Sequence, residues 1–473
     1  MTDLTLLSAF EMAEQLRQKK ISPVELVNAH FARIARLNPQ LNAYVALDEQ
    51  RARRDAQALE AELEHSHLRG PLYGIPISIK SSLETAGMPW EAGTRLRAGT
   101  IAAKDAVLVS RLRQAGAIVL GVTNTPELLM AWETDNLLYG RTNNPWDLTR
   151  TAGGSSGGEA AAIAAGMSAG GVGSDGGGSI RVPAHFSGIC GLKPTPGRVP
   201  ATGHFPPAGG PFALLGVVGP LARTVSDLQA LFEVMAGPDG GDPSSAPVPL
   251  RPIARDDLKR VRIGYFEDDG RTPVTPETRA AVRTAAQALG RAGFEVVPFR
   301  PEGLEHARQL WWKFFGITGG MMLGPMTKGY ESDLSPILKE FLGWSAAEPP
   351  HSGHTLLDTW LQRDELRAQV LAQMQVFPIL LCPAAAIPAF RHGERSWTVE
   401  GKTVKYLDAW SYTEWFNLLG NPAAVVPVTQ SPEGLPIGVQ IVGRPWEEEL
   451  VLVMARELER ECGGYSPPTI EGV

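Results

Sequence analysis

Two serines and a run of glycines pose the first chemical question. Between Gly153 and Ser179, eleven of 27 residues are glycine, and the stretch ends Gly176-Gly177-Gly178-Ser179. Residues without Cβ let successive backbone N–H groups turn into one anion-binding concavity. A serine closing such a run has an oxyanion hole beside it, so Ser179 is a candidate nucleophile for acyl transfer. Ser155 stands at the entrance to the Ala-rich stretch Glu159–Ala169. A helix start there would offer unpaired N–H groups and a favourable dipole to developing negative charge. Either serine needs a base. Lys80, last residue of the apolar run GIPISIK, can supply one, although a strand-terminal lysine is also a common solvated end.

Other chemistries fit the same residues less well. Gly171-Val172-Gly173-Ser174-Asp175-Gly176 satisfies GxGxxG, but a dinucleotide site needs a helix N-terminus after it, and SIRVPAHFSG follows, with Pro183 inside. No GxxxxGK occurs, so a P-loop is excluded. Gly153-Gly154-Ser155-Ser156-Gly157 satisfies GxSxG, yet the polar NNPWDLTRTA precedes it where a nucleophile elbow needs a buried strand. Arg181 reads as a structural ion-pair partner, His185 as a non-catalytic histidine, and Cys190 as a small buried hydrophobe. His351 and His354 have no evident third ligand, so no metal is expected.

The surrounding elements must position these groups. Residues 1–70 read as helices: Leu6, Ala9, Met12, Ala13 and Leu16 keep one apolar face, Ser22-Pro23 starts a second helix, and a charged one runs from Arg51 to His67. Gly74–Lys80 reads as a strand, Ala106–Gln114 as a helix, and Ala117–Val122 as a strand. After the Glu159–Ala169 helix come strand Val261–Phe266, helix Pro276–Ala292 and strand Phe294–Phe299. A helical region from Leu304 to about Phe377 follows, then strands Ala423–Val428 and Pro436–Val442 and a last helix, Trp446–Glu461. Such alternation predicts an α/β fold. Pro238–Pro252 is the best linker candidate, though strands on both sides could share one sheet. A net charge of −7 without a basic block argues against nucleic acid. Three cysteines without CxxC spacing argue against disulfides and zinc. The apolar stretch Pro378–Phe390 is short and broken by prolines, and the N-terminus lacks an apolar signal core, so a cytoplasmic protein without membrane attachment is expected.

The strings GGSSGGEAAAIAAG and GSDGGGSIRVPAHFSGICGLKPTPGR resemble the amidase signature family, whose members hydrolyse carboxylic amides. GIPISIK, GVTNTPE and GRTNNPWD lie upstream in the family's order, and NLLGNPAAVVPV and GLPIGVQIVGRP close it. The resemblance implies a single amidase-signature domain over 1–473, with a large mixed β-sheet flanked by helices on both sides. Within it, 1–70 supplies the N-terminal helices, 74–200 the catalytic core, and 304–415 a variable substrate-pocket region. It further implies Lys80 as catalytic lysine, Ser155 as bridging serine and Ser179 as acyl-enzyme nucleophile. The backbone N–H groups of Gly176, Gly177, Gly178 and Ser179 would form the oxyanion hole. Leu129 and Met130 would line the floor of the amide site beside Ser155. No cofactor is implied; a small-molecule amide is the expected partner, and a homodimer the assembly considered.

Such chemistry makes a demand on the lysine. At the ordinary lysine pKa of about 10.4, only about one side chain in 2,500 is neutral at pH 7, and burial has to bring that pKa down. The chain departs from the family at Ser81 (usually Asp), at Gly176 (commonly Thr, Ile or Ala) and at Trp90-Glu91, where small hydroxyl residues are common. Trp311, Trp312, Phe314, Phe315, Met321, Met322, Met326, Phe341 and Trp344 are dense enough either to line an apolar pocket or to form core helices. The expected substrate is an aryl or medium-chain acyl amide. Two other readings are the amidase subunit of a tRNA-dependent amidotransferase, whose LGxxxLSxGYYDAYY-like block is not found here, and a non-catalytic binding protein on the same scaffold.

Overall fold

Short apolar runs scattered over the chain converge into one sheet in the computed structural model, which describes residues 3–64, 69–207, 209–258 and 260–470. Its strands are β1 (Tyr44–Leu47), β2 (Pro76–Lys80), β3 (Ile118–Thr123), β4 (Gly170–Asp175), β5 (Cys190–Lys193) and β6 (Val217–Ala222) in the first half. The second half adds β7 (Arg262–Tyr265), β8 (Glu295–Pro298), β9 (Ile379–Pro383), β10 (Ala423–Gln430) and β11 (Pro436–Val442). Their spatial order is β1-β3-β2-β4-β6-β5-β10-β11-β9-β7-β8. Pairing is parallel across β3-β2-β4 and across β9-β7-β8, and antiparallel elsewhere. Strands before and after Pro238–Pro252 therefore belong to the same sheet.

Both faces are covered, as the family resemblance implies. In β9, Ile379 and Leu381 join the cluster containing Leu108, Leu228, Val282 and Val451, from helices Val107–Gln114, Val225–Met235, Pro276–Arg291 and Glu448–Cys462. The alternate residues Leu380 and Cys382 face Leu304, Trp311, Leu366 and Trp415, from helices on the other side. Period-2 alternation in a strand buried on both faces explains why these runs are almost wholly apolar.

Helix starts follow the local chemistry. Ser8 and Ser22 both form capping boxes, with Glu11 and Glu25 respectively, and Pro23 occupies the first turn. The charged helix spans Glu49–Glu64; the end predicted for it near His67 lies outside the described residues.

Several expectations need correction. Residues 1–70 are not all helical, because Tyr44–Leu47 forms the edge strand β1. Four residues are too few to reveal a period, and antiparallel pairing with β3 decides their conformation. The Ala-rich helix starts earlier and is shorter than predicted, Gly157–Ala164, and the GxGxxG stretch after it is strand β4. Its glycines mask the strand signal but fit a packing need. A Cβ at Gly171 would stand 1.7 Å from Glu159 Oε1, and one at Gly173 would stand 2.7 Å from Ser156 Oγ. Glycine in a strand marks such close approach.

Ile77 of β2 is fully buried. Ile77→Ala should lower stability by about 2–5 kcal/mol, read as a reduced urea midpoint at unchanged slope.

Candidate active site

Strand β2 ends by carrying Lys80 into the interior, where it has no solvent exposure. Its Nζ lies 2.6 Å from Ser155 Oγ and 3.0 Å from both Ser156 Oγ and Ser174 Oγ. Three hydroxyls satisfy the three N–H bonds of an ammonium. A neutral amine leaves one lone pair, so one of these serines can then donate to it. Burial lowers the lysine pKa to about 7, while Asp175 and Glu159 pull the other way. Lys193 is also buried and brought down to about 7, but its ammonium donates to the Pro194 carbonyl, 2.9 Å away. Lys80 is distinguished from it by its ring of serine hydroxyls.

The Ser155–Ser156 turn is held by its backbone. Thr125 Oγ1 donates to the Ser155 carbonyl at 2.8 Å, and Ser156 N donates to the Ser179 carbonyl at 3.2 Å. The second bond ties the two serine segments together. Glu159, one turn into the following helix, accepts from Ser78 of β2 and from Thr123 Oγ1 of β3 at 2.7 Å. Its carboxyl is raised to about 7 by burial, against the hydrogen bonds and the Lys80 charge. This keys the helix to the strand that bears the lysine.

The glycine loop is anchored from behind. Trp311 Nε1 donates to the Gly176 carbonyl at 2.9 Å, and Trp132 Nε1 and Thr413 Oγ1 donate to the Gly177 carbonyl at 2.9 and 3.0 Å. In a planar trans peptide the N–H of the next residue points the opposite way, so fixing these carbonyls aims the N–H groups of Gly177 and Gly178. The Gly178 N–H is donated to Asp175 Oδ1 at 2.7 Å. Glycine is required here, since Gly178 has φ +118° and its Cβ would stand 2.4 Å from Thr413 Oγ1, while a Cβ on Gly177 would meet the Trp311 ring at 2.5 Å.

Asp175 and Arg181 brace the loop. Arg181 Nε and Nη2 each donate to the Asp175 carboxylate at 3.0 Å, and neither side chain is exposed. Burial disfavours the Asp175 charge, yet the Arg181 guanidinium holds its pKa well below the usual carboxylate range. Arg181 is thus the structural ion-pair partner that its sequence setting suggested. His185 is buried, accepts from Gly438 N at 2.8 Å through Nδ1 and faces the Ile387 carbonyl through Nε2; it stands apart from the serines' cavity.

That cavity is lined by Ser155, Ser179, Gly176, Leu129 and Met130, bringing together most of the predicted site. Leu128 and Leu129 both have positive φ, 50° and 68°, an uncommon conformation for leucine that the packed surroundings impose. Of the aromatic and methionine set in 304–415, only Phe315 and Met322 line the cavity. Phe314 and Phe341 are core residues, and Met321 and Met326 are exposed. Phe315 sits in a π-helical turn, Lys313–Ile317. Much of the remaining wall comes from 201–207 and 212–218, including His204, Pro206, Phe212 and Val217. Sequence reading missed this segment, and its proline- and glycine-rich GHFPPAGGPF was the available signal. It also missed Ser156 and Ser174 as neighbours of the lysine. Among the described residues no group of three or more His, Cys, Asp or Glu is placed to hold a metal, and no helix is long and apolar enough to cross a membrane.

The family model described as Amidase matches residues 25–452. The chain belongs to the amidase family. It is an amide-hydrolysing enzyme. Among curated relatives it is 34% identical to an acylamidase of Rhodococcus erythropolis, covering 96% of this chain and 95% of that protein. It is 31% identical to a glutamyl-tRNA(Gln) amidotransferase subunit of Salinispora arenicola, covering 99% and 100%. Among solved structures, a bacterial aryl acylamidase of the amidase signature enzymes superposes with a TM-score of 0.84 at 28% identity, covering 96% of each chain.

Removing one partner of a buried ion pair strands the other charge. Asp175→Asn should therefore destabilise this amidase by about 3–5 kcal/mol, measured by chemical denaturation; a loss under about 1 kcal/mol would contradict the bracing role.

Proposed function

We propose that this amidase cleaves linear carboxylic amides through a Ser179 acyl-enzyme, with Ser155 and Lys80 as its proton relay. The observation that carries the reading is the 2.6 Å approach of buried Lys80 Nζ to Ser155 Oγ, at a cavity that Ser179 also lines. Neutral Lys80 accepts the Ser155 proton as Ser155 accepts that of Ser179, and Ser179 Oγ attacks the carbonyl carbon. The tetrahedral oxyanion is met by the N–H groups of Gly176, Gly177 and Ser179. The Gly178 N–H, included in the sequence-based hole, is already donated to Asp175, so Gly178 serves to turn the loop. Returning the proton along the same path to the departing nitrogen releases the amine and leaves the acyl-enzyme, which water then hydrolyses.

The substrate class we infer is an apolar aryl or medium-chain acyl amide. Leu129, Met130, Phe212, Phe315 and Leu323 offer the acyl or aryl body an apolar surface. Resemblance to an acylamidase and to an aryl acylamidase supports the same class. A chain acting alone or as a homodimer in the cytoplasm fits this reading. Similarity over the full length of an amidotransferase subunit favours a second one, in which the chain works within a larger complex; robust turnover by the isolated chain would dismiss it.

A fluorophosphonate probe should label wild type at Ser179 by one adduct and leave Ser179→Ala unlabelled, read by mass spectrometry. Labelling elsewhere, or full activity in Ser179→Ala, ends the proposal. Because the base must be uncharged, kcat/KM should rise with pH through about 7 and fall about tenfold per unit below it. Lys80→Ala should lose about 10²–10⁴-fold in kcat together with that limb. A variant keeping the same pH profile would remove the lysine from the relay.

A further inference from the structure

Any side chain at position 176 would collide with an aromatic ring. Gly176 does not have positive φ, so its backbone conformation does not call for glycine. Space does: a Cβ there would stand 2.9 Å from Phe315 Cε2. The Phe315 ring thus fills the volume beside the first residue of the glycine loop. It is only partly buried, and it lines the cavity together with Ser155, Gly176 and Ser179.

The ring is held from several sides. It stacks on Trp311 with centroids 4.6 Å apart and planes 13° from parallel, and Trp311 is the residue whose Nε1 donates to the Gly176 carbonyl. Phe212 approaches to 5.3 Å, and the Phe341 ring stands edge-on at 6.1 Å. The π-helical turn that carries Phe315 is pinned as well. Thr318 donates to the Lys313 carbonyl through its N–H and, at 3.2 Å, through its Oγ1; His351 Nε2 stands 3.0 Å from the same oxygen. A wall packed this closely yields only by giving up those contacts, so bulk pressed against the ring is disfavoured.

Stereochemistry assigns what the ring meets. In the acyl-transfer reading the reacting carbon bears Ser179 Oγ, an oxygen directed at the loop N–H groups, and a nitrogen that must face Ser155 to receive its proton. The acyl α-carbon takes the remaining direction of a tetrahedral carbon, toward the apolar wall. Phe315 is the part of that wall set against the glycine loop. We propose that Phe315 is a specificity-determining residue, whose ring restricts bulk at the α-carbon of the acyl group. The preferred substrate is then the amide of an acid with an unbranched α-carbon, such as a phenylacetyl or straight-chain acyl group. This rests on the amide-hydrolase reading of the same cavity and narrows it.

The test compares phenylacetamide with 2-methyl-2-phenylpropanamide, whose α-carbon carries two methyl groups, and with N-methylphenylacetamide. Wild type should show a kcat/KM for phenylacetamide about a hundredfold or more above that for the dimethyl amide. Phe315→Ala should narrow that ratio by about tenfold or more, and Phe315→Leu, which keeps an apolar side chain in the cluster, by an intermediate factor. The intrinsic reactivity of the two amides cancels when the enzymes are compared. A ratio equal in wild type and both variants, or a wild type that takes the dimethyl amide as readily as phenylacetamide, overturns the proposal. So does relief in Phe315→Ala that appears for N-methylphenylacetamide and not for the dimethyl amide, since the ring would then face the amine. Hydrolysis of none of the three by wild type defeats the amide reading with it. The wild-type comparison needs no substitution, so a variant that misfolds does not remove the test.

Discussion

A lysine ammonium buried with hydroxyls, and among the described residues no carboxylate, as its hydrogen-bond partners is the constraint around which this molecule is built. Removing a cation from water costs several kcal/mol unless its charge is matched at close range. Here Asp175 and Glu159 act on Lys80 only through the field, while Ser155, Ser156 and Ser174 provide the contacts. The charged form is held but not locked, and the pKa comes to about 7. A direct ion pair would have kept the proton on nitrogen. Without the two carboxylates the same burial would lower the pKa further.

That constraint explains the central glycine-rich strand. Strand β4 supplies Ser174 to the lysine and Asp175 to the loop brace, and it must lie against the helix that follows Ser155 and Ser156. Only glycine at Gly171 and Gly173 permits that distance. The loop after β4 then has its carbonyls tied to Trp311, Trp132 and Thr413, and its shape braced by the Asp175–Arg181 pair. These bonds fix the direction of the loop's backbone N–H groups within the fold itself.

The cavity wall has a different physical origin. It is assembled from 129–130, 201–207, 212–218 and 315–323, segments apart from those that carry Lys80 and its serine neighbours. The departure of this chain at Trp90 falls beside that wall, where its ring packs on Arg97 and Phe205.

Much of the candidate site was legible in the sequence because its motifs are local. The triple glycine before Ser179, the serine pair opening an Ala-rich helix and the apolar strand ending in Lys80 are each contiguous runs whose residue types can be read directly. Capping serines and the alternating α/β pattern were readable for the same reason. What sequence alone left open depends on separations of tens to hundreds of residues. Ser156 and Ser174 reach Lys80 across 76 and 94 positions, and Thr413 reaches Gly177 across 236. Strand β4 escaped recognition because its glycines answer to a helix packed against it, and β1 because four residues carry no period. Which aromatics line the cavity, and which merely fill the core, was also undecided. Residue type and spacing determine what a side chain can do; only packing decides which groups lose water together, and the lysine's pKa, the aim of the N–H groups and the character of the pocket all follow from that.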